Sequence, residues 1–288
     1  MKEIGIFSTL IEPAAFELIE SVLDFIENKY LSRAQVAFVF SNRELGEDRI
    51  ADTILQKLEE RGVNLITFSA TKYDSDLRKE AIIEKRKGNM LPLATWREGY
   101  GKHVLEMLPQ TDFDLLLGDM YIWSKRMCAE RRGVNLHPAL PNGPKGKWYD
   151  VIWQLIRDRA SESGVMMHRV SEELDRGPVI TYSRFSLRGS DFNNLWQKLP
   201  TDEFQLSELI KRESVKRENA DFPLHQIIRK HELRREIPLI LQTVEALFEG
   251  KVIIEGRGVL DKYRRELLTG YDLMTEVDTI ILSQMKDV

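Results

Sequence analysis

Two segments of the chain carry side chains that could move a proton and stabilise a developing negative charge. One contains Asn135 and His137 followed by a proline, and the other contains Asp175. Asn135 and His137 are two positions apart in a segment, residues 133–137, whose pattern predicts a strand, so both side chains should point to one face. Because proline cannot continue a strand ladder, the pair is expected at the strand's end. An amide, an imidazole and a carboxylate converging there could stabilise an oxyanion and transfer a proton.

Short apolar runs alternate with amphipathic stretches through the first half of the chain. Strands are predicted at residues 4–7, 36–40, 64–68, 112–118 and 133–137, and helices at residues 13–30 and 47–61. Unbroken apolar strands separated by helices indicate an α/β fold with a mostly parallel sheet and helices on both faces. Ligands of such sheets bind beyond the carboxyl ends of the strands, and Asn135 and His137 lie at such an end.

The pattern changes after residue 160. Residues 164–170 and 178–182 predict two strands joined by a short polar loop, which is the spacing of an antiparallel pair in the C-terminal half. Residues 224–249 predict one long amphipathic helix, with a kink at Pro238. Residues 251–255 predict a late strand.

Composition and charge exclude several classes of protein. The 288 residues are 42% apolar and 31% charged, as in a globular domain, and the net charge of −4 gives no reason to expect a nucleic-acid partner. No apolar run is long enough to cross a bilayer, and Met1-Lys2-Glu3-Ile4 leads directly into a strand-like segment rather than a signal peptide. A lone Cys128 and the lack of Cys/His clusters predict no disulfide, no bound metal and a cytoplasmic location.

These segments resemble the signatures of the folate-dependent formyltransferase family. Residues 135–141 (Asn-Leu-His-Pro-Ala-Leu-Pro) are similar to the family's Asn-x-His-Pro-Ser-Leu-Leu-Pro segment, and residues 164–180 resemble its second signature, which ends in Leu/Val-Asp-x-Gly-Pro-Ile/Val-Ile. Residues 115–124 resemble the strand and loop that line the pterin pocket of the glycinamide ribonucleotide formyltransferase branch, and residues 39–42 match its second strand. The resemblance covers about residues 1–255 and implies a Rossmann-like formyltransferase fold.

The resemblance implies direct transfer of a formyl group from the co-substrate 10-formyltetrahydrofolate to a primary amine of a small substrate. Glycinamide ribonucleotide, in purine biosynthesis, is the leading acceptor. Attack of the amine on the formyl carbon creates an oxyanion, which His137 as imidazolium and Asn135 would stabilise. Such donors are each worth roughly 3–4 kcal/mol of the barrier. Asp175 would keep His137 charged by ion pairing and hold a water that carries the amine proton away.

The resemblance also implies the residues that bind the two substrates. Folate would lie between two walls, formed by Met120, Tyr121, Ile122 and Trp123 and by Val170, Ser171, Glu172 and Glu173. Ser8 and Thr9 would bind the acceptor. In the family the first strand runs into a glycine-rich loop that binds the substrate phosphate, whereas residues 7–14 contain no glycine here and Glu12 adds a negative charge. His168 is interpreted as a structural histidine.

The expected organisation is a formyltransferase domain over residues 1–255 followed by a C-terminal extension over residues 256–288. The resemblance divides the domain into an acceptor-side half, residues 1–110, and a catalytic and folate-binding half, residues 111–255. The polar and mixed residues 85–103 are interpreted as a loop insertion.

Other functions remain open at this level. A formyltransferase with the same donor could act on another amine, such as a nucleotide-linked amino sugar, and a related hydrolase would release formate. A non-catalytic folate-binding protein on the same fold would explain the altered phosphate loop. A methionyl-tRNA acceptor is disfavoured, because the chain is acidic and short after Gly250. The expected partners are therefore the amine and folate, without nucleic acid or membrane, and a homodimer is compatible with the sequence.

Overall fold

The computed structural model describes residues 2–28, 34–256 and 258–285. Within those ranges the chain forms two compact units, neither of which is continuous in sequence. Unit 1 comprises Met1–Asn135 and Arg169–Arg176, and unit 2 comprises Leu136–His168 and Gly177–Val288.

Unit 1 is built on parallel strands that follow the apolar runs of the sequence. Its strands are β1 (Lys2–Ser8), β2 (Ala34–Ser41), β3 (Leu65–Thr67), β4 (Phe113–Leu116) and β5 (Gly133–His137), of which β5 continues into unit 2. Neighbouring strands pair in parallel in the order β5, β4, β1, β2, β3, with Leu116 of β4 opposite Asn135 of β5. Each strand predicted for this half of the chain is confirmed.

Helices connect these strands. They are α1 (Pro13–Glu27), α2 (Arg49–Glu60), α3 (Ser75–Arg86), α4 (Leu91–Met107) and α5 (Lys125–Glu130). The predicted start of α2 moves to Arg49 because Asp48 caps the helix, accepting hydrogen bonds from the amides of Ile50 and Ala51 at 2.8 and 3.0 Å. The helix predicted over residues 13–30 is α1, and its predicted last residue, Tyr30, lies outside the described residues.

The interpretation of residues 85–103 as a loop insertion is wrong. These residues include the end of α3 and most of α4, whose buried Leu93, Trp96, Tyr100 and Val104 recur at helical spacing. Gly101 concealed the pattern, because glycine usually weakens a helix. Here it allows close packing, since a Cβ at this position would lie 2.5 Å from Ser124 Oγ.

The core of unit 1 is rich in aromatic side chains from the strands and from α4. The buried aromatic members are Phe7, Phe38, Phe40, Trp96, Tyr100 and Trp123. The rings of Trp96 and Tyr100 stack with centroids 5.5 Å apart, and Tyr100 meets Tyr121 edge-on at 4.9 Å. The aromatic core therefore reaches the loop that follows β4.

A buried ion pair fixes the amino end of β4. Asp114 Oδ2 lies 2.6 Å from Arg131 Nε, and Asp114 Oδ1 accepts from Arg131 Nη2 and Thr111 Oγ1, each at 2.8 Å. Gly5 of β1 lies opposite Asp114, and a Cβ there would be 2.2 Å from Asp114 Oδ1. The absent side chain of Gly5 therefore makes room for the paired carboxylate.

Unit 2 contains the antiparallel pair predicted for the C-terminal half. Its strands are β6 (Glu162–Arg169), β7 (Val179–Ser186), β8 (Val252–Glu255), β9 (Gly258–Asp261) and β10 (Tyr271–Asp272). Strands β6 and β7 are antiparallel, β10 adds to β7 in parallel, and β8 and β9 form a separate antiparallel pair. The predicted fold class, a mostly parallel sheet surrounded by helices with an antiparallel pair in the second half, is confirmed.

The helices of unit 2 pack around one long helix. They are α6 (Trp148–Arg157), α7 (Asn193–Trp196), α8 (Glu203–Ser214), α9 (Pro223–Phe248) and α10 (Met274–Gln284). Helix α9 matches the predicted helix within one residue at each end and contains Pro238, and the kink expected there stays a prediction. Within the predicted C-terminal extension, α10 is tied to α9 by a 2.8 Å ion pair between Arg235 and Asp278, and residues 257 and 286–288 of that extension lie outside the described residues.

Candidate active site

Strand β5 carries the predicted pair Asn135 and His137. Asn135 is partly buried and His137 is buried, two positions apart on the strand, so their side chains leave the same face. His137 Nε2 lies 3.0 Å from the carbonyl oxygen of Pro144. Because a carbonyl can only accept, Nε2 carries a proton and donates it in this bond.

A tight turn positions the Pro144 carbonyl. The amide of Gly143 donates to the carbonyl of Leu140 at 2.8 Å, and Asn142 has a left-handed φ of 63°. Proline at the second position and a left-handed asparagine at the third are typical of a type II turn. A Cβ on Gly143 would lie 2.8 Å from the Leu140 carbonyl, so the turn requires glycine there.

The other histidine of this region, His168, lies on β6. Its ring meets the ring of His137 edge-on, with centroids 6.2 Å apart, and both side chains are buried. Its interpretation as a structural histidine stays a prediction.

The second predicted signature returns the chain to unit 1. The amide of Val170 donates to the carbonyl of Gly133 at 2.8 Å, at the start of β5. Asp175 is buried in the loop that follows, with a φ of 52°, a conformation that aspartate tolerates better than most residues. The catalytic roles assigned to Asn135, His137 and Asp175 stay predictions.

The two predicted folate walls meet in unit 1. A Cβ on Gly133 would lie 2.8 Å from both Trp123 and Val170, so the bare backbone of Gly133 lets these two side chains approach. Trp123 is buried, and Tyr121 and Val170 pack against the same apolar cluster.

The remaining predicted folate residues are more exposed. Met120, Glu172 and Glu173 are exposed, whereas Ile122 and Ser171 are partly buried. Ser171 Oγ donates to the carbonyl of Glu173 at 2.8 Å and shapes the start of the loop.

The predicted acceptor residues join a hydrogen-bond network at the carboxyl ends of β1, β2 and β4. Thr9 Oγ1 donates to Asp119 Oδ1 at 3.2 Å and accepts from the Asn42 side chain at 3.0 Å and from the Met120 amide at 2.8 Å. The neighbouring Ser8 Oγ accepts from the amide of Leu10 at 3.3 Å. Both side chains are buried, and their role in binding the acceptor stays a prediction.

Sequence reasoning did not select Asn42 and Asp119. The Asn42 side chain also donates to Asp119 Oδ1 at 2.9 Å, and the Tyr121 amide donates to the same oxygen at 3.1 Å. Burial raises the pKa of the Asp119 carboxyl to about 6, although these hydrogen bonds act in the opposite direction. Asn42 directly follows β2 and Asp119 lies three residues beyond the last residue of β4, and that position after a buried strand is the signal that could have identified them.

Arg97 on α4 was also missed. Its backbone carbonyl accepts a 3.4 Å hydrogen bond from the Tyr121 hydroxyl, so α4 borders the predicted folate loop. The Arg97 side chain is partly buried and has no carboxylate partner among the described residues. Desolvation lowers the pKa of Arg97, as expected for a cation buried without an anion.

Within the described ranges, no helix is long and apolar enough to span a bilayer. No group of three or more His, Cys, Asp or Glu side chains in those ranges is arranged to hold a metal ion.

Solved structures define the class of this fold. Glycinamide ribonucleotide transformylase 1 from Symbiobacterium toebii aligns with a TM-score of 0.57 at 17% identity, covering 90% of this chain and 93% of that one. Phosphoribosylglycinamide formyltransferase from Coxiella burnetii aligns with a TM-score of 0.56 at 14% identity, covering 94% and 98%. The fold is therefore the Rossmann-like fold of formyltransferases, as predicted.

Sequence comparison points in the same direction. No known protein-family profile matches the chain. The phosphoribosylglycinamide formyltransferase of Dictyostelium discoideum is 27% identical over 184 residues, which is 60% of this chain and 80% of that protein. These similarities fit the folate-dependent formyltransferase family, the family that the two signatures indicated.

Proposed function

We propose that this protein transfers a formyl group from 10-formyltetrahydrofolate to a primary amine of a small substrate. The observation that carries this proposal is strand β5, which presents Asn135 and His137 from one face at its carboxyl end. The names of the Dictyostelium relative and of the aligned structures support the same reaction. No protein-bound intermediate is required, because the amine can attack the formyl carbon directly.

In the proposed reaction, three polar residues each take part in a step. They are Asn135, His137 and Asp175. The amine nitrogen forms a bond to the formyl carbon, and the electron pair of the carbonyl moves to oxygen. Asn135 and the imidazolium of His137 donate hydrogen bonds to this oxyanion. The bond from the formyl carbon to N10 then breaks, N10 takes a proton, and water held by Asp175 removes a proton from the amine. The products are the formylated amine and tetrahydrofolate.

The structure supports a defined orientation for the His137 ring. Because Nε2 donates to the fixed carbonyl of Pro144, the neutral ring carries its proton on Nε2. The additional proton of the imidazolium is then carried on Nδ1. The turn that positions Pro144 therefore keeps the ring from rotating between turnovers.

Folate binding is assigned to the loop that follows β4 and to the segment that starts at Val170. The contact of Trp123 and Val170 around Gly133 supports this assignment, since it joins the two predicted walls. The glutamate portion of folate is anionic, and Arg97 is a partly buried cation that has no carboxylate partner in the described part of the chain. We therefore assign Arg97 to a folate carboxylate.

Glycinamide ribonucleotide, in purine biosynthesis in the cytoplasm, is the acceptor suggested by the relatives' names and the first to be tested. An amine such as that of a nucleotide-linked amino sugar is the alternative acceptor. The network at Thr9 and Asp119 bears on this choice, because it occupies the strand ends where the acceptor is expected.

Turnover of 10-formyltetrahydrofolate with a panel of small primary amines tests the reaction. We expect transfer to at least one amine, and a loss of about 10²- to 10⁴-fold in kcat for His137→Ala with folate affinity retained. The matched control is His103→Ala on the exposed surface of α4, which should keep the wild-type rate.

Two outcomes would contradict the proposal. Unchanged turnover in His137→Ala would remove the assigned role of the imidazole. Tight folate binding without transfer to any amine would favour the non-catalytic folate-binding protein instead.

A further inference from the structure

We propose that Asp119 is a specificity-determining residue that makes the acceptor side of unit 1 favour an amine without a phosphate group. This inference rests on the proposed formyl transfer and narrows the substrate class of that reaction. It is carried by the hydrogen-bond network at the ends of β1, β2 and β4 and by the loop that connects β1 to α1.

The first step is that the Thr9 hydroxyl is already saturated. A hydroxyl has one hydrogen to donate and two lone pairs that accept. Thr9 gives its hydrogen to Asp119 and accepts from the Asn42 side chain and the Met120 amide. The Asn42 amide likewise uses both hydrogens, one to Thr9 and one to Asp119. Neither side chain keeps a donor for a phosphate oxygen.

The second step is that the carboxylate of Asp119 stays uncompensated by any cation. Its oxygen Oδ1 accepts from Thr9, Asn42 and the Tyr121 amide, all of which are neutral donors. No Lys or Arg side chain pairs with Asp119 among the described residues. Burial raises the pKa of this carboxyl to about 6, so it remains mostly ionised at neutral pH. A phosphate dianion beside it would meet like charge in a partly desolvated site.

The third step concerns the loop between β1 and α1. Leu10 adopts a left-handed φ of 58° with a fully buried side chain, so the loop is filled rather than open. The first helical position is Pro13, which has no N–H to donate. Glu12 precedes it with an exposed side chain and places a second carboxylate at the helix end where an anion would otherwise bind.

These features select against phosphate and in favour of an amine. A protonated or hydrogen-bond-donating acceptor is attracted by the Asp119 carboxylate, whereas a phosphorylated acceptor is repelled. An amino sugar or another small polar amine has the required chemistry. Asp119 therefore acts by touching the acceptor, and Thr9 and Asn42 act by holding Asp119.

Two matched pairs of amines test the inference. They are glycinamide ribonucleotide with its dephosphorylated ribonucleoside, and glucosamine 6-phosphate with glucosamine. For each pair of amines that the protein formylates, we expect the wild-type kcat/KM to be at least about ten-fold higher for the phosphate-free member. Asp119→Asn should reduce that ratio by about ten-fold, through the KM of the phosphorylated amine. The control Glu17→Gln removes an exposed charge from helix α1 and should leave the ratio unchanged.

Preference of the wild-type protein for the phosphorylated member would overturn the inference, and so would an unchanged ratio in Asp119→Asn. Calorimetry of ribose 5-phosphate and ribose with the wild-type protein decides the point without turnover and without a variant. Binding of ribose 5-phosphate with a Kd below about 1 mM overturns the inference, and absence of binding supports it. If no amine at all is formylated, the proposed function fails, and this binding measurement still tests the selection against phosphate.

Discussion

Two aspartates five residues apart lie at the two ends of strand β4, and their carboxylates have different kinds of partner. Asp114, near the amino end, is buried against Arg131 with two short ion-pair contacts of 2.6 and 2.8 Å. Asp119, just beyond the carboxyl end, is surrounded by neutral donors from Thr9, Asn42 and the Tyr121 amide. Both residues are aspartates, Asp114 fully buried and Asp119 partly buried, and only Asp114 has a cation as partner among the described residues.

This difference shows why location must accompany chemistry when a buried carboxylate is interpreted. A carboxylate paired with a cation at the amino end of a parallel strand has its charge neutralised, away from the edge of the sheet where ligands bind. A carboxylate left without a cation at the carboxyl end retains charge where ligands of such sheets do bind. The three predictions that follow test this contrast, in order of decreasing effect.

The largest effect is expected from Arg131→Ala. This change leaves the Asp114 carboxylate buried without its cation, which costs about 3–5 kcal/mol of unfolding free energy. Denaturant unfolding measures the loss, and Arg126→Ala provides the control because its pair with Glu130 is exposed and 3.7 Å long. The control should change stability by less than about 1 kcal/mol. A similar, small loss in both variants would mean that the two aspartates do not differ as described.

A smaller effect is expected from Gly5→Ala. The new Cβ would lie 2.2 Å from Asp114 Oδ1 and 2.4 Å from Phe38 Cζ, so the ion pair or the ring must shift. We expect a loss of about 1–3 kcal/mol, the usual cost of overpacking a core. Gly258→Ala is the control, since its nearest neighbour would be 3.8 Å away. Equal thermal midpoints for the two variants would show that the space beside Asp114 is not limiting.

The smallest effect is expected from Asp119→Asn, and it depends on pH. The folded-state pKa of Asp119 is about 6, above its ordinary value of 3.8, so the folded chain binds a proton that the unfolded chain has released. Wild-type stability should therefore fall as the pH rises from about 4 to about 6, by about 1–2 kcal/mol after allowance for solvent screening.

The asparagine variant has no carboxyl group to titrate at this position, so its stability should not show this fall with rising pH. Denaturant unfolding of both proteins from about pH 4 to pH 7 measures the difference, with the variant gaining relative stability at the upper end. A difference that is constant over this range would place the Asp119 carboxyl in an environment no different from water.

Much of the fold could be predicted because the strands and long helices are indicated by patterns in adjacent residues. Residues 133–137 match β5 in full, and the long helix at Pro238 was placed within one residue at each end. Apolar runs and 3.6-residue periodicity are properties of adjacent residues, so one sequence suffices to read them. Helix α4 was misread because Gly99 and Gly101 act there through neighbours that are distant in sequence, the Tyr73 hydroxyl and Ser124.

In the candidate site, too, residues positioned by local sequence could be predicted and contacts between distant residues could not. Asn135 and His137 could be selected because one strand holds both, at a spacing with a geometric meaning. The position of Asp119 after β4 could have marked it as a candidate, but its hydrogen-bond partners could not be predicted, because Thr9 and Asn42 are 110 and 77 residues away. The consequences of burial for its charge appear only once three strand ends are brought together.

The discontinuous make-up of unit 1 has a consequence for how this protein is made. The unit takes its last segment, Arg169–Arg176, from a later part of the chain, and Val170 of that segment closes around Gly133 with Trp123. A nascent chain that has reached only Asn135 therefore lacks part of its own first core. Synthesis must reach at least Val170 before that core is complete, so a shortened gene product ending at residue 135 would not reproduce unit 1.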